Sequence, residues 1–279
     1  MEECKVCQRK TIDGLIKRFQ PDDELKKQFV LKANAIIDEG DGNSPLLATQ
    51  LQRLAKKSFN CEDIYSNEKQ HANELLFSNY DYWKSNIGLG RDSFHRAVKM
   101  AVSGNIIDYG AHSVPDDILA HVKELHQREF AIDHSERLYT DISNAKSILY
   151  LGDNAGEIVF DRLLIETMNQ SNVTFAVRGE AVINDVTMLD ASQVKMEEVC
   201  TVIDNGFDAP STILEACSSE FQKIFNEADL IISKGQGNFE GLMNNDQKNI
   251  CFMLMAKCDL IARKLGVKKG DMVVKYLND

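Results

Sequence analysis

Three oxygen-bearing side chains stand close together near the middle of the chain. Asp153 and Asn154 follow the apolar run 147–151, and Glu157 comes three residues later at the start of a helical stripe. Carboxylate and amide oxygens are good ligands for hard divalent cations, and the backbone N–H groups of a helix N-terminus favour a phosphate. The same residues also suit a plain helix cap, with Glu157 complementing the helix dipole. The spacing alone leaves both interpretations open.

A second strand-length run, 173–177, is followed by a cation and by another carboxylate. Arg178 could hold an anion through two parallel hydrogen bonds, and Asp185 could be a second carboxylate ligand beside Asp153. Because parallel strands end at the same edge of a sheet, we expect Asp185 and Asp153 to lie close together. The alternative is that Asn184 or Asp185 caps the helix that follows.

A lysine and two glycines follow a third run, 230–233. Lys234 stands at a strand end with Gly235 directly after it and Asn238 close by, which predicts a phosphate clamp built partly from backbone N–H groups. The order excludes a Walker motif, because Lys234 precedes its glycines. Segment 152–156 does not form a dinucleotide motif either, because an acid and an amide stand where a pyrophosphate needs bare backbone.

Two polar residues interrupt an apolar stretch in the first half of the chain. Asn105 and Asp108 are three positions apart, so they would share one face of a helix. They either line a cleft beneath a helical cap or form a satisfied cap and turn, and the sequence leaves both open.

The elements that must position these residues change character near residue 145. Segment 10–145 shows helical periodicity without a convincing strand, which predicts a mostly α-helical N-terminal domain or cap over residues 1–144. Strand-length apolar runs then alternate with helical stretches, which predicts an α/β domain over 145–279 whose parallel sheet has helices on both faces. The predicted strands are 147–151, 173–177, 199–203, 230–233 and 272–274. Ligands bind beyond the carboxyl ends of such strands, where the polar residues above are found.

Composition predicts a soluble globular protein of the cytoplasm. The 279 residues can bury a large core, and a formal net charge of −11 makes binding to a nucleic-acid backbone unfavourable. No apolar run approaches the roughly 20 residues that span a bilayer, and the acidic N-terminus is unlike a secretory signal. The sequence therefore predicts that the protein binds neither nucleic acid nor a membrane.

The cysteines do not suggest a secreted disulfide protein, because there are seven and they are scattered. Cys4 and Cys7 have the CxxC spacing of a metal site or a redox pair. A zinc site needs four ligands, however, and neither a second CxxC nor an HxxxH completes one. The pair is either functional or consists of two small, buried, reduced side chains.

Taken together, these motifs resemble the DUF89 family of damage-control phosphatases. The residues that carry the resemblance are, in chain order, Gly152–Glu157 with Phe160 and Asp161, then Arg178 and Gly179 with Asn184–Val186, then Ser233–Glu240. Cys4 and Cys7 together with Ser103–Asp108 resemble the stand-alone microbial branch of the family. The resemblance spans nearly the whole chain.

The resemblance implies a Rossmann-like, three-layer C-terminal domain with a mostly helical N-terminal portion. It implies a divalent metal (Mn, Co, Ni or Mg) at the positions of Asp153, Asn154 and Asp185, and a phosphate contact from Lys234. It also implies activity on phosphate monoesters, such as sugar phosphates or pantetheine-type phosphates, in metabolite damage control. The expected partner is therefore a small phosphorylated metabolite.

These observations lead to a hypothesis of metal-dependent phosphate-monoester hydrolysis. The metal would polarise the phosphoryl oxygens and activate a bound water, while Arg178 and Lys234 neutralise the remaining charge. Glu157 would transfer a proton or support the metal ligands. The predicted substrate-binding residues are Asn105, Asp108, Arg178, Lys234, Gly235 and Asn238. A rival mechanism makes Asp153 a nucleophile that forms an aspartyl-phosphate.

Two other functions stay open on the sequence alone. An acid after the first strand also suits an S-adenosylmethionine-dependent methyltransferase, although the glycine-rich loop of that fold is missing. Alternatively, the protein binds a metabolite without turning it over and responds to redox state or to metal through Cys4 and Cys7. Release of phosphate from metabolites would separate the phosphatase from both.

Overall fold

Six helices form the N-terminal part of the computed structural model, which describes residues 2–40, 44–88, 91–104, 124 and 128–277. They are Glu2–Phe19 (α1), Asp23–Glu39 (α2), Ser44–Phe59 (α3), Ser66–Phe77 (α4), Tyr80–Ile87 (α5) and Arg91–Ser103 (α6). The first three pack around a core of their own. In α2 the residues Phe29, Ala33 and Ile37 recur every four positions and are buried, so one stripe of the helix faces that core.

One seven-stranded sheet forms the centre of the described structure. Its strands are Ile132–Asp133 (β1), Ile148–Leu151 (β2), Val173–Val177 (β3), Thr201–Asp204 (β4), Leu230–Lys234 (β5), Ile250–Met255 (β6) and Met272–Tyr276 (β7). Their order is β1-β7-β6-β5-β2-β3-β4. Every neighbouring pair is parallel except β6 and β7, which are antiparallel. The chain therefore has a mixed α/β fold, and this part of the fold prediction is confirmed.

Helices cover both faces of this sheet. Those of the C-terminal part are Ser135–Asn144 (α7), Glu157–Met168 (α8), Met188–Gln193 (α9), Ser219–Glu227 (α10), Gly235–Leu242 (α11) and Asp259–Leu265 (α12). Alternate residues of β2 enter different cores, because side chains along a strand point to opposite faces. Tyr150 packs in the core that contains Phe160 of α8, whereas Leu149 packs in the core that contains Phe221 of α10.

The helices α4, α5 and α6 share a core with the sheet. Leu76, Trp83 and Val98 belong to the same buried cluster as Tyr150. The predicted division of the chain between residues 144 and 145 stays a prediction. None of the helices in the described part combines the length and the apolar character that crossing a membrane requires.

The predicted sheet differs from the observed one in three respects. β1 and β6 were not predicted, β7 is antiparallel to its neighbour β6, and β4 begins at residue 201 instead of 199. β1 has only two residues, which is too short for a pattern to show. All six residues of β6 are buried. Such an apolar run is told from a buried helix by its β-branched and aromatic residues, and β6 has only Ile250 and Phe252. β4 begins late because the Val199 N–H closes a turn onto the Met196 carbonyl.

Candidate active site

The candidate site lies at the carboxyl ends of β2 and β3. Asp153 and Asn154 follow β2, and the loop that carries Asp185 folds back onto them. The Val186 N–H donates to the Asp153 carbonyl at 2.8 Å, and Asn154 and Asp185 pair in an antiparallel bridge. The structure thus brings the three predicted metal ligands together, although Asp185 is distant from the other two in sequence.

One guanidinium joins the two carboxylates. Arg178, directly after β3 and only 2% exposed, donates from Nε to Asp185 Oδ2 at 2.7 Å. Its Nη2 lies 3.8 Å from Asp153 Oδ1, which is too far for a hydrogen bond. This nitrogen has no hydrogen-bond partner in the described structure. A buried donor without a partner is costly, so Nη2 offers a place for an anionic oxygen.

The two buried carboxylates repel each other. Burial, and then the charges of Asp185 and Glu157, raise the pKa of Asp153 to about 8, although Lys257 and Arg178 act in the opposite direction. A divalent cation would remove this repulsion. In the described ranges no three His, Cys, Asp or Glu side chains form a metal-binding group, so the Asn154 amide is the candidate for a third protein ligand. Two carboxylates and an amide fit a hard divalent cation.

Contacts with neighbouring carboxylates orient the Asn154 amide. Its Nδ2 donates to Asp153 Oδ2 at 2.7 Å and to Glu157 Oε2 at 3.2 Å. Glu157 Oε2 also accepts the backbone N–H of Asn154 at 3.3 Å. Because the nitrogen is committed to two carboxylates, the Asn154 oxygen is the atom that remains to bind a cation.

Lys234, the last residue of β5, lies in the interior of the protein behind Glu157. Its side chain is fully buried, and Nζ donates to the Ala101 carbonyl at 3.0 Å and to the carboxylates of Glu157 and Asp161. Burial lowers the pKa of Lys234, but Asp161 and Glu157 outweigh burial and the net shift is upward. The sequence predicted that the Lys234 ammonium contacts a phosphate. In the structure the ammonium instead contacts two carboxylates of α8. In this position it fixes Glu157, which in turn holds Asn154.

Gly235 and Asn238, at the start of α11, pack against the end of β2 and the residues that follow it. Gly235 has a φ of +78°, and a Cβ there would lie 1.8 Å from Asp153 Oδ2. Only glycine allows this close approach. Asn238 Nδ2 donates to the Gly152 carbonyl at 3.1 Å and to the Lys234 carbonyl at 2.8 Å. Asn238 therefore ties the start of α11 to the end of β2.

Comparison with known proteins assigns the family. The family described as damage-control phosphatase ARMT1-like domain matches residues 1–273. This chain belongs to that family. Membership confirms the family predicted from the motifs, and with it the prediction that the chain is a phosphatase of metabolite damage control.

Three curated relatives match nearly the whole chain of this damage-control phosphatase. An uncharacterized protein, MJ0202, of Methanocaldococcus jannaschii is 34% identical over 98% of this chain and 93% of its own length. The damage-control phosphatase PH1575 of Pyrococcus horikoshii is 33% identical over 97% and 96%. A damage-control phosphatase of Archaeoglobus fulgidus is 33% identical over 98% of both chains.

A solved structure shows a similar fold. The crystal structure of PH1575, described as a DUF89 family protein, superposes with a TM-score of 0.89 at 30% identity, and it covers 99% of this chain and 98% of that one. Neither the methyltransferase nor the binding protein without turnover is favoured by these comparisons.

Two residues near the site of this damage-control phosphatase were missed by the sequence analysis. Lys257 is half-buried after β6, and its charge acts on Asp153. The signal for Lys257 was its place at a strand end, which was lost because β6 was not predicted. Asn73 of α4 accepts the Gly156 N–H at 2.6 Å, just before α8 begins. No sequence signal links Asn73 to that loop.

Two remaining predictions concern the helical part of the chain. Asn105 and Asp108 lie outside the described residues. Cys4 lies on α1, where burial, and then the nearby charge of Glu240, raise the pKa of its thiol. Cys7 lies on the same helix, one turn further along.

Proposed function

We propose that this damage-control phosphatase binds a divalent cation through Asp153, Asn154 and Asp185 and hydrolyses phosphate monoesters of small metabolites at that cation. The observation that carries the proposal is the guanidinium of Arg178, which lies against both carboxylates at the strand ends. Mn, Co, Ni and Mg are the candidate metals, because an oxygen-rich site of this kind suits hard divalent cations and does not choose sharply among them.

Two positively charged side chains near these strand ends, Arg178 and Lys257, bind the phosphate. Arg178 Nη2 is a buried donor with no partner in the described part of the chain, and it can donate to a phosphate oxygen. Lys257 adds a second positive charge, because it is close enough to lower the pKa of Asp153 against the effect of burial. A phosphate dianion placed between them is neutralised as negative charge develops during transfer.

A bound cation would supply Lewis-acid stabilisation of the phosphoryl charge and a more acidic water. Two of the remaining predicted residues, Glu157 and Lys234, support the groups that would hold it. Glu157 is enclosed by Lys234 and Asn154, so we assign it to holding the Asn154 amide and not to proton transfer. Lys234 keeps Glu157 in place, and its positive charge is balanced by Glu157 and Asp161.

The finer predictions belong to the same proposal. Sugar phosphates and pantetheine-type phosphates are the expected substrates. Helices on both faces of a largely parallel sheet support a Rossmann-like, three-layer arrangement for residues 145–279, with residues 1–144 as a mostly helical portion. A cytoplasmic location is part of the same proposal.

A phosphate-release screen tests the proposal. Sugar phosphates and phosphopantetheine are incubated with the protein and Mn²⁺, Co²⁺, Ni²⁺ or Mg²⁺, and each reaction is repeated with excess EDTA. We expect release with at least one metal and none with EDTA. Release that persists in EDTA would contradict the metal requirement, and no release from any substrate would contradict the activity.

The nucleophile is tested separately. If a water attacks the phosphate, rapid acid quenching during turnover of a ³²P-labelled substrate leaves no label on the protein. Label on Asp153 would instead identify the rival aspartyl-phosphate mechanism.

A further inference from the structure

A cavity of about 530 Å³ lies between α3 and the loops that follow β3 and β4. Its lining residues are Arg53, Lys56, Lys57, Glu180, Gly206, Phe207 and Asp208. Its volume is in the range of sites that bind small molecules. No residue of the candidate active site lines it, so it is a separate recess.

The cavity is next to the candidate active site. β3, which ends directly before Arg178, pairs with β4, and adjacent strands are only about 4.8 Å apart. The Gly179 N–H donates to the Phe207 carbonyl at 3.0 Å, so the two strand-end loops are in direct contact. A short loop runs from Glu180, in the cavity wall, to the predicted metal ligand Asp185. A molecule whose phosphate lies on Arg178 can therefore extend into the cavity over the neighbouring strand.

Two of the three cations in the wall are fixed by other groups. Arg53 forms a two-pronged ion pair with Asp208, and its guanidinium lies 5.3 Å from the centre of the Phe207 ring. Lys56 donates to the Ala181 carbonyl at 3.0 Å and lies 3.6 Å from Glu180. These contacts hold the side chains of Arg53 and Lys56 in place and compensate their charges.

The third cation, Lys57, is different. It is exposed, and no carboxylate among the described residues pairs with it. The lining thus holds three cations against two carboxylates, in a chain with a net charge of −11. A local positive charge at a cavity in an acidic protein attracts an anionic group.

We infer that this cavity receives the part of the substrate remote from the reacting phosphate, and that Lys57 favours substrates with a second anionic group there. The group is a carboxylate or a second phosphate, since one ammonium attracts either. The inference rests on the proposed phosphatase activity, and it makes Lys57 a specificity-determining residue that takes no part in bond cleavage.

Matched substrate pairs test the inference. With Mn²⁺ present, kcat/KM is measured for glycerol 3-phosphate against 3-phosphoglycerate, and for fructose 1-phosphate against fructose 1,6-bisphosphate. The second member of the first pair carries an additional carboxylate, and the second member of the second pair carries an additional phosphate. We expect the wild-type protein to prefer the second member of at least one pair. In Lys57→Ala this preference should fall about fivefold through a higher KM, as for the loss of one exposed ion pair.

Two further variants make the result specific. Lys57→Arg keeps the charge and should keep the preference. Lys32→Ala removes an exposed lysine of α2 that does not line the cavity, and it should leave the preference unchanged. A preference in Lys57→Ala equal to that of the wild-type protein would overturn the inference while leaving the phosphatase in place. Failure of the wild-type protein to release phosphate from any of the screened metabolites with any of the four metals would instead overturn the proposed function.

Discussion

At the scale of single residues, the sequence predicts which side chains lie at strand ends, but it does not predict in which direction each one points. Asp153, Arg178 and Asp185 were predicted as site residues because each lies at or soon after the end of a strand-length run. Lys234 also ends a strand, but Glu157 and Asp161 on α8 attract its ammonium into the core. The direction of a long side chain depends on tertiary partners, and these were not readable from spacing.

Gly235 gives a sharp test of the local geometry. Gly235→Ala should cost about 1–2 kcal/mol for the left-handed backbone and should also displace Asp153, because the new Cβ would lie 1.8 Å from Asp153 Oδ2. We expect activity to be lost. The matched control is Gly266→Ala, which has a similar φ of +72° with nothing near the new Cβ. Urea unfolding and phosphate release are measured for both, and equal activity in the two variants would contradict the proposed contact.

At the scale of elements, the helical part reaches into the candidate site through α4. Asn73 is buried, accepts the Gly156 N–H at 2.6 Å and donates to Asp190 Oδ1 at 3.0 Å. Asn73→Ala should cost about 1–3 kcal/mol, because it leaves a buried N–H without an acceptor. It should also lower kcat, because Gly156 precedes Glu157.

The measurement for Asn73 is thermal unfolding together with kcat. Asn86→Ala is the control, because Asn86 is exposed and, among the described residues, its side chain bonds only to the Tyr82 carbonyl of its own helix. A variant at Asn73 that unfolds earlier but keeps full kcat would show that Asn73 is structural only.

The ion pair between α3 and the loop after β4 should make stability depend on pH. Burial alone would raise the pKa of Asp208, but Arg53 outweighs burial and the net shift is downward. A lowered pKa stabilises the fold above the unfolded value of about 3.9, and this stabilisation is lost as the pH falls through the folded value. Asp208→Asn should therefore be less stable than the wild-type protein by about 0.5–1 kcal/mol at pH 7, with a smaller difference below about pH 4.

Urea unfolding between pH 3 and pH 7 measures this difference. Asp13→Asn is the control, because Asp13 is exposed on α1 and has no ion-pair partner in the described part of the chain. A difference that is constant across this pH range would contradict the ion pair as its cause.

The elements themselves were predictable where a pattern existed. Phe29, Ala33 and Ile37 predict a helix by their spacing, and 173–177 is a strand at the predicted bounds. β6 was missed because its short apolar run consists mostly of Cys, Met and Leu, a composition that also suits a buried helix. Because β6 was not predicted, Lys257 was not recognised as a residue at a strand end, and it was left out of the predicted site.

At the scale of the whole molecule, α1–α3 and the sheet have separate apolar cores. Leu51 belongs to the first core and Leu164 to the core shared by α4–α6 and the sheet, and both are fully buried. Either residue changed to Ala should cost about 2–5 kcal/mol. We expect Leu51→Ala to increase amide exchange mainly in α1–α3, and Leu164→Ala to increase it throughout the sheet.

Hydrogen exchange followed by mass spectrometry distinguishes these patterns. The two variants remove the same atoms from sites of equal burial, so each serves as the control for the other. Identical exchange profiles would show that the two cores unfold as one unit.

Binding of Mn²⁺ at equilibrium, measured by calorimetry on the wild-type protein and on Asp185→Asn, tests most directly whether two distant carboxylates share one cation. We expect one ion per wild-type chain and an affinity weaker by about tenfold or more in the variant, with an unchanged circular dichroism spectrum. Equal affinity in the two proteins would contradict this expectation.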